Sequence, residues 1–426
     1  MISIKPLLLV SAAALALTSG VYAQVDTILG PVHNTKLGVT PFNAFIPEAL
    51  VDTGVTRLYV ADVGQKNCKK FAAGPVGQDG SKPVFVEDIV MDRANKIAFL
   101  GSDPYRIKPD GTGGWMPGMA FLDAAYGAQG NGAMFTYAYA KDSAGTGEVG
   151  MTKLTISPPL PSFHPHGFKI LSQSDGTTLL FVVNHRAQVP YDSKGLYSVV
   201  EILKYDPKVS ATTLKHIRTV QHELIYNPNN VIPVSSSSFY VSNDHTYREG
   251  AIRSIEEYAQ LPTAWITYCD VSSGTPQCIK AADGLRGANG INTDGERIWL
   301  NEAVGGDVIA FSRNADNTLT IDKRYNLDYV PDNISYEPTT KTFTSTGHPQ
   351  ALKFQAYASG TDKTAPSWVD IIRPADGTVK RIFSDSGDLL SGSTVFEVDV
   401  QSNVALLAGV FDEPVVRCQV PNGFSS

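Results

Sequence analysis

Six short runs of one character recur along the 426-residue chain. Each starts at a polar turn, passes through β-branched, aromatic or aliphatic residues, and ends in small or polar ones. In order they read N-K-I-A-F-L-G-S-D, T-T-L-L-F-V-V-N-H, S-S-F-Y-V-S-N-D-H, E-R-I-W-L-N-E-A, K-T-F-T-S-T-G-H-P and S-N-V-A-L-L-A-G-V-F-D. They start near residues 95, 177, 237, 296, 341 and 402, at irregular spacings that average about 60 residues, somewhat longer than common propeller blades. Many short strands between turn residues, with little helical periodicity, predict an antiparallel all-β fold. One such unit cannot bury both of its faces. Closing six into a ring buries each against its neighbours and protects the edges. The expectation is therefore an all-β, six-bladed β-propeller, with a β-sandwich as the alternative. The best helical candidate is Ile252 to Leu261, with Ser254 as its cap. The Gly- and aromatic-rich stretch from Ser102 to Pro161 reads as a loop over one face.

At the N-terminus, Lys5 is followed by an apolar run from Pro6 to Thr18, and Val21 and Ala23 fit a small-residue cleavage rule. The reading is a signal peptide over residues 1–23, a wrapping segment over 24–65 and a single propeller domain over 66–426. The apolar run is too short for a comfortable membrane span, so the expected location is extracellular. The four cysteines, Cys68, Cys269, Cys278 and Cys418, are an even count in a secreted chain and allow three pairings. Cys269 and Cys278 flank a turn-rich loop and are expected to pair locally. That leaves Cys68 with Cys418, a clasp between the first and last parts of the fold. With no C-x-x-C or His/Cys cluster, zinc is not expected. A formal charge of −7 argues against general nucleic-acid binding.

Chemistry concentrates at a few places. The stretch His164 to His185 holds two strand-like runs around an Asp175-Gly176 turn, a hairpin signal that brings His166 and His185 together. Polar clusters fall at comparable points of the repeats: Glu87-Asp88, Asn229-Asn230, Asn243-Asp244-His245, Asn289 and Asp332-Asn333. Each alone is ordinary turn chemistry. Together, carboxylates and Asn amides without thiolates form an oxygen ligand set suited to Ca²⁺.

The chain resembles the paraoxonase/arylesterase family, calcium-dependent six-bladed propeller lactonases and esterases. The strings that carry the resemblance are V-E-D (86–88), P-H-G-F (165–168), L-L-F-V-V-N-H (179–185), N-N-V-I-P-V (229–234) and F-Y-V-S-N-D-H (239–245). They continue with G-A-N-G-I-N-T-D-G (287–295), V-P-D-N-I-S (330–335), G-H-P (347–349) and A-G-V-F (408–411), ahead of Cys418. They fall in the family's order. The resemblance implies a catalytic calcium held by Glu87, Asn229, Asn289, Asp332 and Asn333. It implies a second, structural calcium at Asp88, the Phe168 carbonyl and Asn230, where the family has aspartate and one formal charge is missing here. It also implies ester or lactone hydrolysis, with the carbonyl polarised by calcium. His166 would be the base, oriented by His185. Asp244 and His245 offer another acid–base pair beside the metal, and His348 and Phe411 would touch a small ester or lactone substrate.

Other residues carry plainer expectations. Asn333-Ile334-Ser335 is a glycosylation sequon; a buried calcium ligand would carry no sugar. His33, His164, His216 and His222 are assigned structural or surface places, and Asp322-Lys323-Arg324 a solvated turn. The competing functional reading is a calcium-stabilised propeller that binds a ligand or protein partner without hydrolysing it.

Overall fold

The computed structural model describes residues 62–65, 67–71 and 82–424. The expected signal peptide and nearly all of the 24–65 segment, with His33, lie outside the described residues. Chain order opens with β1 (Lys69–Lys70), β2 (Val86–Asp92) and β3 (Ile97–Ser102). A short hairpin follows, β4 (Trp115–Met116) and β5 (Phe121–Leu122), then helix α1 (Ala124–Gly127), β6 (Ala133–Tyr137) and β7 (Met151–Ser157). Next come β8 (Pro165–Ser172), β9 (Thr178–His185), β10 (Ser198–Tyr205) and β11 (Thr213–Val220). A third group is β12 (Pro228–Ser235), β13 (Ser238–Asn243), helix α2 (Gly250–Tyr258), β14 (Ala264–Asp270) and β15 (Gln277–Leu285). A fourth is β16 (Ala288–Thr293), β17 (Arg297–Glu302), β18 (Asp307–Arg313) and β19 (Leu319–Asn326). The fifth is β20 (Val330–Glu337), β21 (Thr342–His348), helix α3 (Ala351–Ala358), β22 (Ser367–Arg373) and β23 (Thr378–Asp385). The chain ends with β24 (Ser393–Asp399), β25 (Val404–Gly409) and β26 (Val416–Cys418).

Sheet order resolves these strands into six four-stranded meanders. Four are separate sheets, the last ordered β1-β26-β25-β24. The other two, β2-β3-β6-β7 and β8-β9-β10-β11, are joined edge to edge where β7 and β11 run parallel. The first strand of each meander packs beside the first strand of the next: β2 on β8, β8 on β12, β12 on β16, β16 on β20, β20 on β24, and β24 back on β2. Ring closure is therefore complete. β1 supplies the outer strand of the last blade, and Cys68–Cys418 locks it there. Cys269–Cys278 forms the local bridge, across directly paired residues of β14 and β15.

The six recurrent runs are β3, β9, β13, β17, β21 and β25, the second strand of every blade. Apolar side chains from both faces of such strands fill the contacts between blades. Phe181 of β9 meets Phe239 of β13 at 5.6 Å between ring centroids, and Trp299 of β17 stacks on Phe343 of β21 at 4.3 Å. Both faces must be apolar because each blade is sandwiched, which is why these runs read as continuous apolar stretches.

Three expectations need correction. The 102–161 stretch is not one loop: β6 and β7 complete the first blade, and only the part around β4, β5 and α1 covers a face. Ser254 lies inside α2, whose cap position is Glu249 with no side-chain cap bond. Asp322-Lys323-Arg324 is part of β19, and Arg324 Nη1 bonds Glu302 and Asp307 at 2.7 and 2.8 Å.

Candidate active site

In every blade the inner strand pairs with its neighbour out of register near its start. The residues that fall in the shift are Glu87-Asp88 in β2, His166-Gly167 in β8 and Asn229-Asn230 in β12. In the other three blades they are Asn289-Gly290, Asp332-Asn333 and Thr394. A bulge releases residues from the ladder and re-aims their side chains. Six bulges at equivalent positions deliver polar groups to the one place where six inner strands converge. Glycine is required where neighbouring bulges touch: a Cβ on Gly290 would lie 2.6 Å from both Asn333 Cα and the Asp332 carbonyl oxygen.

These groups open onto a cavity of about 140 Å³. Its polar part is Glu87, His166, Asn229, Asn289, Asp332 and Thr394, with Asp244, His245 and His348 beside them. Its apolar part comes from Met116 and Met119 of the first blade's covering segment, with Val330, Leu352, Phe354 and Val410. Helices α2 and α3 close over one side, latched by Tyr258 Oη donating to Gln355 Oε1 at 2.7 Å and Gln355 Nε2 to Glu257 at 3.0 Å. Phe411 does not line the cavity. It packs behind, 5.9 Å from the Phe354 ring.

The electrostatics are those of a site short of positive charge. Burial raises the Glu87 pKa well above the usual carboxylate range, and the neighbouring Asp88 and Asp332 add to this against Arg106 and the Asn333 amide. Three buried acceptors, Glu87 Oε2, Asn229 Oδ1 and Asn289 Oδ1, have no hydrogen-bond donor among the described residues. Orphaned oxygens gathered in one place are costly unless a cation satisfies them. This donor set therefore fits a hard cation, with oxygen as its only ligand type. Among the described residues no three His, Cys, Asp or Glu side chains cluster as a metal group, so the set depends on its amides. Asn333 takes a different posture: its Nδ2 donates to Glu87 Oε1 at 2.6 Å, and its Oδ1 accepts from Asn230 at 2.7 Å.

The expected second calcium site does not fit. Asp88 Oδ2 already accepts from the buried Lys169 ammonium at 2.7 Å, from Asn230 Nδ2 at 3.0 Å and from the Phe168 backbone N–H at 3.1 Å. Asn230 presents its donor side to Asp88, while its Oδ1 accepts from the Val231 N–H. Donors stand where a cation would need acceptors.

The hairpin β8–β9 brings His166 and His185 together, ring centroids 5.1 Å apart, though no hydrogen bond joins them. His185 Nδ1 pairs with Ser198 Oγ at 2.8 Å. Arg106, from the covering segment, lies 3.1 Å from His166 Nδ1. A guanidinium only donates, so Nδ1 accepts there, while Nε2 faces the Asn229 Nδ2 amide at 3.3 Å. Burial, then Arg106, then His185 hold the His166 pKa well below its ordinary value. Burial and Arg106 take His185 down to about 3. His348 Nε2 lies 3.0 Å from Asp332 Oδ2, its Nδ1 has no partner among the described residues, and its ring stacks on Phe354 at 3.5 Å. Burial alone would raise the Asp244 pKa, but His245 at 3.2 Å, Arg253 and His185 hold it below the usual range. His164 and His216 are structural, beside Asp103 and Glu201.

Arg106, Lys169 and Thr394 escaped the sequence reading. Thr394 could have been found, because S-T-V occupies the bulge position of V-E-D-I and P-D-N-I. Nothing local marks Arg106.

Fold and site together define a β-propeller with a cavity of polar and apolar lining where its inner strands converge. Residues 101–419 match the family model described as Arylesterase. The chain is 30% identical to serum paraoxonase/arylesterase 1 of Homo sapiens over 260 residues, 59% of this chain and 67% of that protein. It is also 30% identical to serum paraoxonase/arylesterase 2 of Canis lupus familiaris over 269 residues, 61% of this chain and 70% of that one. A solved gluconolactonase from Xanthomonas campestris aligns with 84% of this chain and 98% of its own at 10% identity and a TM-score of 0.43. The chain belongs to the arylesterase family and is a carboxylic ester hydrolase.

Proposed function

We propose that this protein is a secreted, calcium-dependent hydrolase of aryl esters and lactones. The observation that carries this reading is the convergence of orphaned Glu87, Asn229 and Asn289 oxygens beside an apolar cavity. That cavity, about 140 Å³, is close to the roughly 150 Å³ that admits a benzene ring in a dry protein interior, so single-ring esters and small lactones suit it. The two disulfides support an oxidising compartment. Glu87, Asn229, Asn289 and Asp332 would hold the calcium, with Asn333 joining after its amide turns. When bound there, calcium supplies polarisation of the substrate carbonyl and offsets the charge that develops on its oxygen.

The chain's own groups handle protons and position. Arg106 fixes the His166 ring through Nδ1, leaving Nε2, which faces the Asn229 amide on the cavity, as the nitrogen that exchanges a proton with the departing oxygen. His348, with Nε2 on Asp332 and Nδ1 free, is the acceptor for the proton of the attacking water. His185 and Trp115, whose Nε1 donates to the His185 carbonyl at 2.6 Å, fix the hairpin that carries His166. Met116, Leu352 and Phe354 exclude bulk water from the acyl group.

The test is hydrolysis of a series of phenyl esters graded by leaving-group pKa, together with γ- and δ-lactones. His166→Gln should lose most rate on the poorest leaving groups, whereas His348→Gln should lose about the same factor on all, on the order of 10²-fold or more. Equal losses across the series for His166→Gln would refute its role as proton donor. Calcium-loaded protein with no activity on any ester or lactone would favour the binding-module reading.

A further inference from the structure

We propose that the ammonium of Lys169 permanently takes the place of a second divalent cation beside Asp88, leaving this propeller a single metal site. Lys169 lies on the inner strand β8 and is only 3% exposed. A lysine is almost never buried there without a compelling partner, because desolvating its charge is costly. Its partner is Asp88, itself fully buried, at 2.7 Å.

The surroundings are arranged for an ammonium and against a divalent ion. Asp88 Oδ2 takes three donors: Lys169 Nζ, Asn230 Nδ2 and the Phe168 N–H. The Asn230 oxygen is spent on the Val231 N–H. Of the Asp88 and Asn230 side-chain oxygens, only Asp88 Oδ1 is left without a donor among the described residues, and Ca²⁺ requires six to eight oxygens. The other carboxylate within range, Glu397, is held by Arg93 at 2.9 Å. One lysine charge against one aspartate charge makes this half of the site neutral.

The contrast with Glu87 is direct. The bulge that places Asp88 against Lys169 places Glu87 on the cavity, where its Oε2 has no donor and no ammonium reaches it. Adjacent residues of one bulge thus serve two solutions to the same problem. Glu87 would pair with a mobile cation; Asp88 carries a covalently tethered one. The tethered charge cannot dissociate, so this part of the ring should hold its geometry at calcium concentrations that would empty a weak second site.

The inference rests on calcium binding at Glu87, and the experiment separates the two claims. Mature full-length protein, stripped with chelator and dialysed against buffered calcium, is analysed for bound metal by mass spectrometry and by calorimetric titration. The wild type should bind one calcium per chain, and Glu87→Gln should remove it. Lys169→Ser combined with Asn230→Asp should gain one ion over the wild type. Two ions in the wild type, an ion that survives Glu87→Gln, or a folded double variant that gains none would each overturn the proposal. A wild type that binds none while the double variant binds one would remove the Glu87 reading and leave the role of Lys169 standing. Should the double variant fail to fold, Lys169→Met is compared with the wild type by thermal unfolding with and without saturating calcium. The variant's midpoint should rise by more than that of the wild type; an equal rise overturns the proposal.

Discussion

Breaking the Cys68–Cys418 bridge should cost far more than breaking Cys269–Cys278, although both join paired strands at the rim of a blade. The long bridge spans 350 residues of sequence and the short one 9. Loop-closure entropy then sets ceilings of about 6 and about 3 kcal/mol. Removing a native bridge typically costs about 2–5 kcal/mol, so the expected losses are about 4 and about 2 kcal/mol. The structure gives a reason for the larger figure to persist. Among the described residues β1 pairs with β26 through Lys69↔Arg417 and Lys70↔Val416, extended by one bond from the Phe71 N–H to the Val415 carbonyl, a short ladder on its own. Cys269 and Cys278, by contrast, lie within six paired positions of β14 and β15 that close their loop without sulfur. The assay is equilibrium urea unfolding of Cys68→Ser/Cys418→Ser and Cys269→Ser/Cys278→Ser, followed by tryptophan fluorescence. Equal losses, or a larger loss for the short bridge, would refute the view that the long bridge holds the ring shut. Esterase activity should fall with the long bridge as well. Thr394 of the last blade donates to the Glu87 carbonyl at 2.7 Å, so a loosened seam reaches the site.

Three further outcomes follow from particular contacts. Phe354→Ala should cost about 2–3 kcal/mol, less than a fully buried Phe because the ring borders the cavity; its KM for phenyl acetate should rise more than that for an aliphatic ester, read from paired kinetics. Asp399 is held down to about 2 by Ser402, Lys96 and Tyr139 despite its burial. Its folded pKa lies below the unfolded value, so its contribution of about 2 kcal/mol is present above about pH 4 and lost as pH falls towards 2. Urea titrations from pH 7 to pH 3 should show Asp399→Asn converging on the wild type, and a constant gap would count against the ion pair. Asn333 is 1% exposed, so mass spectrometry of protein made through a eukaryotic secretory route should find its sequon free of sugar.

Much of the architecture was legible because a propeller blade buries both faces of its second strand. That strand is the one segment per repeat that must be apolar throughout, and all six were visible as runs such as T-L-L-F-V-V-N-H. The outer strands carry weaker signals. β6 and β7 lie in a glycine-rich region whose turns mask them, and β19, with burial confined to Tyr325 among its last residues, reads as polar turn. Helix α3 was missed because A-L-K-F-Q-A-Y-A follows a strand without a capping residue. Within the site, paired polar residues before an apolar strand could be read, because bulges need no special backbone residue beyond an occasional glycine. Lys169 could not: a lysine in a strand reads as solvated, and only the three-dimensional approach of Asp88 shows otherwise. Arg106 was hidden for the same reason, since sixty residues of sequence separate it from the ring it touches.

Phenyl acetate hydrolysis by chelator-stripped protein, as calcium is titrated back, tests the metal mechanism directly. Activity should be lost on stripping and recover along a one-site saturation curve, with a maximal rate about 100-fold lower or worse for Glu87→Gln. Full activity in protein shown by elemental analysis to hold no calcium would contradict it.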